Sequence, residues 1–161
     1  MIGGSSQIGR RDCLEGTVVG ASPKELVERF YNDVWNRADE SVASDILDVD
    51  LRFRGSLGSE RRGREAFIEY VRSIHRALGN YTCTIEELIA NSERAAARIV
   101  FKGQHRAPFF GIEATGREIA WAGAAFFRIE EGRIAEIWVL GDVDSVKQQL
   151  GIGSPVSFSR R

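Results

Sequence analysis

The sequence predicts a single α+β domain in which helices come first and long antiparallel strands follow. Apolar residues recur every three to four positions over 23–35 and 64–78, which is the spacing of a helix with one buried face. Over 95–105 and 118–141 they alternate or run continuously, as in strands. The length of 161 residues suits one domain with a real hydrophobic core.

Three helices are predicted before the long strands. The first begins at Ser22, which can cap it and form a capping box with Glu25. A shorter helix is predicted over 41–47. The third covers 64–78 and carries one apolar face, and Gly79-Asn80 is expected to end it.

Five strands and a closing helix complete the predicted domain. The strands cover 51–54, 81–89, 95–105, 118–129 and 133–141. They are joined by a glycine-rich turn over 55–63, a turn-rich connection over 107–117 and a tight turn at 130–132. The closing helix covers 143–150. The domain is therefore placed at 22–151, with a flexible leader over 1–21 and a loose tail over 152–161.

Composition excludes several classes of function. The net charge is −1, with 22 basic and 23 acidic residues, so no cationic surplus is available to bind nucleic acid. The basic run 61–64 is interpreted as a solvated turn. There is no apolar core of a secretory signal, and no run approaches the ~20 apolar residues of a membrane span, which together predict a cytoplasmic protein. The two cysteines and two histidines lack metal-ligand spacing, and neither a metal nor a cofactor is expected.

An ordered set of short motifs fills the last third of the chain. It consists of Gly103-Gln104-His105, Phe109-Phe110-Gly111-Ile112, Ala114-Thr115-Gly116-Arg117, Gly132-Arg133-Ile134 and Gln149-Leu150-Gly151. The set resembles the SnoaL-like polyketide cyclase (ester cyclase) family of the NTF2-like superfamily, and the resemblance covers 23–151. It implies an NTF2-like cone, in which a curved antiparallel sheet wraps around the N-terminal helices and leaves one open mouth. It also implies cofactor-free chemistry, in which a carboxylate removes a proton next to a carbonyl and an enolate then closes a ring.

The chain departs from that family at two positions. Well-studied cyclases of the family carry a histidine and an acid/base aspartate on neighbouring strands. Aligned through Arg128-Ile129 and the 132–134 motif, those positions here are Ala125 and Val139. Neither side chain can carry a proton. If the chain is an enzyme, other residues must take these roles.

Both faces of the long strand 118–129 are apolar. Strand alternation puts Trp121, Gly123, Ala125 and Phe127 on one face, and the resemblance makes this the pocket face. Ala120, Ala122, Ala124 and Phe126 form the other face. The second face is either packed within the core or paired with a second copy in a homodimer, as is frequent in the superfamily.

Six residues are candidates to bind a hydrophobic small molecule: Tyr31, Phe53, Arg54, Trp121, Phe127 and Val139. Trp121 is either a stacking wall of the pocket or a core residue. Arg54 either reaches the mouth and holds an anionic oxygen or is solvated on an edge strand. Tyr31 either orients a carbonyl with its hydroxyl or is a core tyrosine whose hydroxyl reaches outward.

Two residues are candidates for catalysis, His105 and Asp142. His105 shares a strand face with apolar residues, so it is either an oxyanion partner or a structural histidine that orders the following loop. Asp142 follows the last long strand. It is either an acid/base group in an apolar mouth or the cap of the closing helix.

The functional hypothesis is a SnoaL-like protein that performs cofactor-free acid/base chemistry on a hydrophobic, carbonyl-containing small molecule. The alternatives are a non-catalytic module that binds such a molecule, and another reaction on the same scaffold, such as isomerisation or epoxide hydrolysis. Both enzyme alternatives require a carboxylate in the pocket.

Overall fold

Helices pack on one face of a curved sheet in the computed structural model, which describes residues 20–56 and 59–153. The helices are α1 (Pro23–Arg29), which continues as a π-helix over Phe30–Trp35, α2 (Glu40–Ile46), α3 (Arg64–Ala77) and α4 (Val143–Gln149). The strands are β1 (Leu47–Arg54), β2 (Arg61–Arg62), β3 (Leu78–Ala90), β4 (Arg94–His105), β5 (Glu118–Glu130) and β6 (Arg133–Gly141). The α+β NTF2-like fold is confirmed. The predicted leader and tail lie almost wholly outside the described residues.

The six strands form one sheet in the order β2-β1-β6-β5-β4-β3. All neighbouring pairs are antiparallel except β1 and β6, which run parallel. The expectation of a purely antiparallel sheet is therefore corrected at this pair. The physical reason is the connection: β1 is separated from β6 by more than seventy residues that include α3, and parallel neighbours need such a long crossover rather than a hairpin.

The start of α1 follows the predicted capping box. The Ser22 hydroxyl accepts a hydrogen bond from the Glu25 amide at 3.3 Å, and the Ser22 amide donates to the Glu25 carboxylate at 2.7 Å. Two of the amides that a helix start leaves unpaired are satisfied in this way. At the other end of the helical segment, the Asn36 side chain exchanges two hydrogen bonds with the backbone of Cys83. The segment is thereby held at both ends, and its far end is tied to β3.

The end of α3 differs from the prediction. The helix stops at Ala77 and β3 begins at Leu78, so Gly79 and Asn80 belong to the strand. Gly79 pairs with Gln104 on β4, and the guanidinium of Arg106 lies where a Cβ at position 79 would stand. The glycine is therefore required by the close packing of that side chain rather than by a helix cap.

The arginines of the basic run 61–64 each contact a neighbouring part of the fold. The Arg61 guanidinium lies 4.2 Å from the centre of the Tyr70 ring, and Arg62 pairs with Glu60 at 3.1 Å. Arg64 donates to the backbone carbonyl of Ser44 near the C-terminus of α2, where unpaired carbonyls attract cations. These arginines stabilise the turn around β2.

Alternation along β5 separates an inner from an outer face of the sheet. Ala125 and Phe127 are buried inside, whereas Phe126 on the outer face is 55% exposed. The Phe127 ring packs edge-on against Phe30 and Tyr31 of the π-helix, with ring centres 5.5 and 6.0 Å away. This aromatic contact joins the helical layer to the sheet. Among the described helices, none has the length and apolar content needed to cross a membrane.

Candidate functional site

A narrow aromatic cavity lies between the π-helix, α3 and the inner face of the sheet. Ten aromatic residues line it: Phe30, Tyr31, Trp35, Phe53, Tyr70, Tyr81, Phe101, Phe109, Phe110 and Trp121. The remaining lining residues are Gly55, Ser56, Ile74, Val139 and Val146. The cavity volume is about 50 Å³, which is room for about two water molecules at the ~30 Å³ that each occupies in the liquid. A ligand with a ring therefore needs side chains at the mouth to move aside.

The polar groups of this lining are neutral. The described lining residues include no Asp, Glu, Lys, Arg or His, and their polar side chains are three tyrosines, Ser56 and two tryptophans. The chain contains three tyrosines, and all three belong to this lining. Such a lining favours an apolar ligand with a few hydrogen-bond acceptors.

Tyr31 is the most deeply placed of these polar groups. Its side chain is 1% exposed, and its hydroxyl has no hydrogen-bond partner within the described residues. Tyr31 lies on the π-helix, where the Asn36 amide bonds to the Tyr31 carbonyl five residues back, and Trp35, four residues after Tyr31, lines the same cavity. A buried hydroxyl without a partner costs free energy unless a ligand or a water completes it.

Burial keeps the phenols protonated. It raises the pKa of Tyr31 and of Tyr81 well above the usual value of 10.0, and the nearby Cys83 adds to both shifts. Burial also raises the pKa of Tyr70, against the opposing effect of Arg61. The pKa of the Cys83 thiol is raised to about 12 by the same desolvation. At neutral pH these groups donate hydrogen bonds and do not accept protons.

The mouth of the cavity carries a two-residue turn with two adjacent aromatic rings. Phe109 and Ile112 exchange two backbone hydrogen bonds of 3.0 Å, and the intervening Phe110 and Gly111 have φ of 53° and 73°. This is the geometry of a tight turn that favours asparagine or glycine at both central positions. Phe110 occupies one of them although its backbone is disfavoured there, and its ring lines the cavity.

His105 lies at the end of β4, beneath the same loop. It is fully buried, and its Nδ1 lies 3.0 Å from the Thr115 hydroxyl and 3.3 Å from the Thr115 amide. Nε2 has no partner within the described residues. His105 is not among the residues that line the cavity, and its contacts tie the loop to the sheet, which matches the structural alternative.

Asp142 lies at the surface, outside the cavity lining, in the position of the predicted helix cap. Its exposed carboxylate accepts a hydrogen bond from the Ser145 amide at 2.9 Å and caps α4. A capping carboxylate outside the cavity cannot reach a proton on a bound ligand. The capping alternative describes this residue, and Asp142 has no part in the function proposed below.

Arg54 and Phe127 also lie away from the cavity. The Arg54 guanidinium is on the outer face of the sheet, 5.0 Å from the Trp138 ring centre and bonded to the Val139 carbonyl at 3.2 Å. The reason is the strand alternation of β1, which turns Phe53 inward and Arg54 outward. Phe127 is buried behind Tyr31 rather than in the lining. Arg54 and Phe127 are therefore not among the residues that line the cavity, and their predicted contact with a ligand is not carried into the function proposed below.

The other predicted ligand contacts come together in the cavity. Tyr31, Phe53, Trp121 and Val139 all line it. Val139 pairs directly with Ala125 across β5 and β6, so these two apolar residues are cross-strand neighbours on the inner face.

Sequence reasoning missed most of the lining. Its polar members that were not predicted are Trp35, Ser56, Tyr70 and Tyr81. A signal for Tyr70 was present, because it shares the apolar face of α3 with Phe67 and Ile74 at spacings of three and four. The position of Ser56 depends on the turn after β1, and no periodic pattern locates a turn residue.

Comparison with known proteins agrees with this fold. Residues 25–150 match the family model described as SnoaL-like polyketide cyclase. No curated protein matches the chain.

Several solved structures are similar to the chain. TsrD from Streptomyces laurentii is 27% identical, with a TM-score of 0.70 over 78% of this chain and 92% of TsrD. IdmH from Streptomyces antibioticus, a protein proposed to be a polyketide cyclase, is 22% identical, with a TM-score of 0.72 over 82% of this chain and 100% of its own. A protein from Jannaschia sp. CCS1, proposed to be a SnoaL-like polyketide cyclase, is 16% identical, with a TM-score of 0.74 over 83% of this chain and 98% of its own. The last two likenesses show the shared fold.

Proposed function

The chain belongs to the SnoaL-like polyketide cyclase family, and from that premise we propose that it binds a hydrophobic, carbonyl-containing small molecule in its aromatic cavity. The observation that carries this proposal is the buried Tyr31 hydroxyl, which belongs to a residue of the cavity lining and has no hydrogen-bond partner within the described residues. A ligand carbonyl that reaches it would accept a hydrogen bond and remove the cost of leaving the group unpaired.

The chemistry that the cavity supports follows from its neutral donors. A donor aimed at a carbonyl oxygen stabilises negative charge that develops there, as in an enolate. Removal of the proton needs a base, and protonated phenols cannot serve as one. We infer that the cavity holds its ligand in a folded conformation and polarises it without a cofactor. Any proton acceptor is then water or a group of the ligand itself.

A non-catalytic binding module is the second candidate, and a specific observation favours it. Ala125 and Val139 replace the polar pair of the family, and the described lining holds no carboxylate. The same observation disfavours isomerisation and epoxide hydrolysis, which need such a group. The two candidates differ in one measurement. In heavy water, an enzyme that enolises acetophenone exchanges the methyl protons of this ketone for deuterium faster than buffer does, whereas a binding module does not.

The substitution Tyr31→Phe is expected to raise stability and weaken ligand binding together. Removing the unpartnered hydroxyl takes away a buried polar group, so the free energy of unfolding should rise by about 1 kcal/mol. The same change removes a donor, so the affinity for acetophenone should fall about three- to tenfold. Urea unfolding measures the first effect, and ligand-observed NMR titration measures the second.

Tyr70→Phe is the matched control for stability, since the Tyr70 hydroxyl is not among the buried unpartnered groups. It should not raise the free energy of unfolding. A Tyr31→Phe protein that is less stable than the parent would show that this hydroxyl has a partner in solution, and the proposal would lose its main support.

We propose further that the outer face of the sheet joins two copies of the chain. Phe126, Trp138 and Leu140 on β5 and β6 are 55%, 39% and 54% exposed, and the first two rings lie 6.0 Å apart. A contiguous apolar face of this kind is unfavourable in water and typical of an interface. Light scattering should give the mass of a dimer, and Phe126→Glu should give a folded monomer. A parent protein with the mass of a monomer at micromolar concentration would refute this proposal.

A further inference from the structure

The turn at the mouth of the cavity has the same geometry as a second turn of the chain. Phe110 and Gly111 have φ of 53° and 73°, and Glu131 and Gly132, which join β5 to β6, have φ of 48° and 74°. In both turns the two flanking residues pair with each other. Such a turn favours asparagine or glycine at its first central position. The backbone alone therefore favours neither phenylalanine nor glutamate at these two positions.

The two disfavoured residues differ in what their side chains contact. Glu131 is exposed, whereas Phe110 is half-buried, lines the cavity and packs against the buried core. The Phe110 ring meets the Phe109 ring edge-on, with ring centres 4.7 Å apart. A disfavoured backbone conformation persists where surrounding contacts hold it in place. The contacts of its ring are thus the local reason for phenylalanine at position 110.

The loop that carries Phe110 is tied to the sheet at its two ends rather than at its tip. At one end the Arg106 amide donates to the Ala77 carbonyl at 2.8 Å, and at the other the Gly116 amide donates to the last carbonyl of β4 at 2.9 Å. Within the described residues, the backbone hydrogen bonds of 108–114 join only the two flanking residues of the turn to each other. Packing alone therefore holds the rings at the tip, and a ligand can displace them without breaking a backbone hydrogen bond.

Phe110 is the ring at the boundary between the cavity and water. Eight of the ten aromatic lining residues lie in helices or strands, and only Phe109 and Phe110 lie on this loop. Phe109 is 8% exposed, and its ring centre is 6.4 Å from that of the buried His105. The half-buried Phe110 is therefore the lining ring that can move with the smallest loss of buried apolar contact.

We propose that Phe110 is the specificity-determining residue of the cavity, because its ring occupies the space at the mouth that a second ring of a ligand would need. The inference rests on the proposed function, since it states which size of carbonyl compound that function can serve. The cavity volume is about 50 Å³, so a ligand with one ring already needs the tip to yield. A ligand with two fused rings needs the Phe110 ring to leave the core, and the lost apolar contact lowers its affinity.

The test compares acetophenone with 2-acetylnaphthalene, which carry the same acetyl group on one ring and on two fused rings. Dissociation constants of both ketones are measured by ligand-observed NMR for the parent protein, Phe110→Asn and Phe110→Leu. We expect Phe110→Asn to improve the affinity for 2-acetylnaphthalene relative to acetophenone about tenfold. Phe110→Leu should improve it about threefold, since leucine keeps part of the apolar contact.

Matched controls exist for both changes. Glu131→Asn makes the same turn more favourable outside the aromatic cavity, and Phe126→Leu removes a ring from the outer face of the sheet. Neither should alter the relative affinity of the two ketones by more than twofold. In urea unfolding, Glu131→Asn should raise the midpoint. Phe110→Asn should raise it by less or lower it, because the packing of the ring is also lost.

The outcomes separate this assignment from the proposed function. If the parent binds acetophenone and both Phe110 variants keep the relative affinity of the parent, the role of Phe110 is refuted while ligand binding in the cavity stands. Equal rises in the urea midpoint for Phe110→Asn and Glu131→Asn would also refute it. Binding of 2-acetylnaphthalene by the Phe110 variants alone would support the assignment. If the parent and both variants bind neither ketone, the carbonyl-binding function and the assignment are both overturned.

Discussion

Raising the pH above about 10 is expected to unfold the protein in one cooperative step that exposes all three tyrosines together. Burial raises the pKa of Tyr31, Tyr70 and Tyr81 above 10.0 and that of Cys83 from 9.0 to about 12. In this range the folded protein keeps protons that the unfolded chain has already released. Deprotonation therefore favours the unfolded state.

The sign and size of this effect follow from the raised pKa values. The stability that these neutral groups contribute is complete below about pH 9. Cys83 begins to lower stability first, because its value in the unfolded chain is 9.0. Above pH 10, Tyr31 and Tyr81 together should reduce the free energy of unfolding by about 3 kcal/mol for each pH unit.

One pH titration can follow both processes: the ultraviolet absorbance of phenolate measures deprotonation of the tyrosines, and far-ultraviolet circular dichroism measures unfolding. The two signals should change at the same pH. Tyr31→Phe removes one titrating group and should make the decline in stability less steep. Phenolate that forms gradually while the circular dichroism stays native would contradict the burial of these side chains.

The substitution Val139→Asp is expected to lower the free energy of unfolding by about 3 kcal/mol or more at pH 7. Val139 is 8% exposed and pairs with the fully buried Ala125. The described lining around it contains no cation that could pair with a carboxylate. Burial would raise the pKa of the new carboxyl, so the loss of stability grows as the pH rises above about 4 and is smaller in more acidic solution.

Val49→Asp is the matched control, because Val49 is also a strand valine but is 63% exposed on β1. It should cost less than about 1 kcal/mol and show little dependence on pH. Thermal unfolding of both variants at pH 4 and pH 7 makes the comparison. Equal losses for the two aspartates would show that position 139 is open to water, and the apolar cavity would not be as closed as described.

Val139→Asp also tests what a carboxylate would cost at the position where the resemblance led us to expect one. A buried carboxylate at this position is tolerated only when neighbouring groups stabilise its charge or its proton. Ala125 supplies neither. The apolar pair is consistent with a cavity that relies on neutral donors, and restoring the carboxylate alone should cost stability without a compensating partner.

The order of the helices and long strands could be predicted from the sequence because each has a clear period of apolar residues. The turn at Glu131-Gly132 was also readable, and both residues have the positive φ that a tight hairpin requires. The parallel pairing of β1 with β6 could not be predicted, because strands that are distant in sequence leave no local signal of their pairing. The π-helix was hidden as well, since residues 30–35 have apolar spacing that suits an ordinary helix equally.

The lining of the cavity could be predicted where the alternation of a strand decides which face of the sheet a side chain is on. Trp121 and Val139 follow from β5 and β6, and both line the cavity. Polar residues at element ends were ambiguous, because their direction depends on the exact end of the strand. Asp142 and Arg54 are the two examples, since each lies at or just after the end of a strand. Asp142 caps a helix, and Arg54 faces outward over the Trp138 ring.

The π-helix over Phe30–Trp35 contains one residue more than an α-helical segment of the same rotation would need. Deleting one residue inside this turn would let the segment relax to an α-helix with little rotation of its two ends against each other. Residues three or four positions apart share a face of an α-helix, so the side that faces the sheet would be kept. The gain or loss of a single codon in this turn can therefore change the width of the helix beside the cavity in one evolutionary step, with the sheet and its aromatic walls left intact.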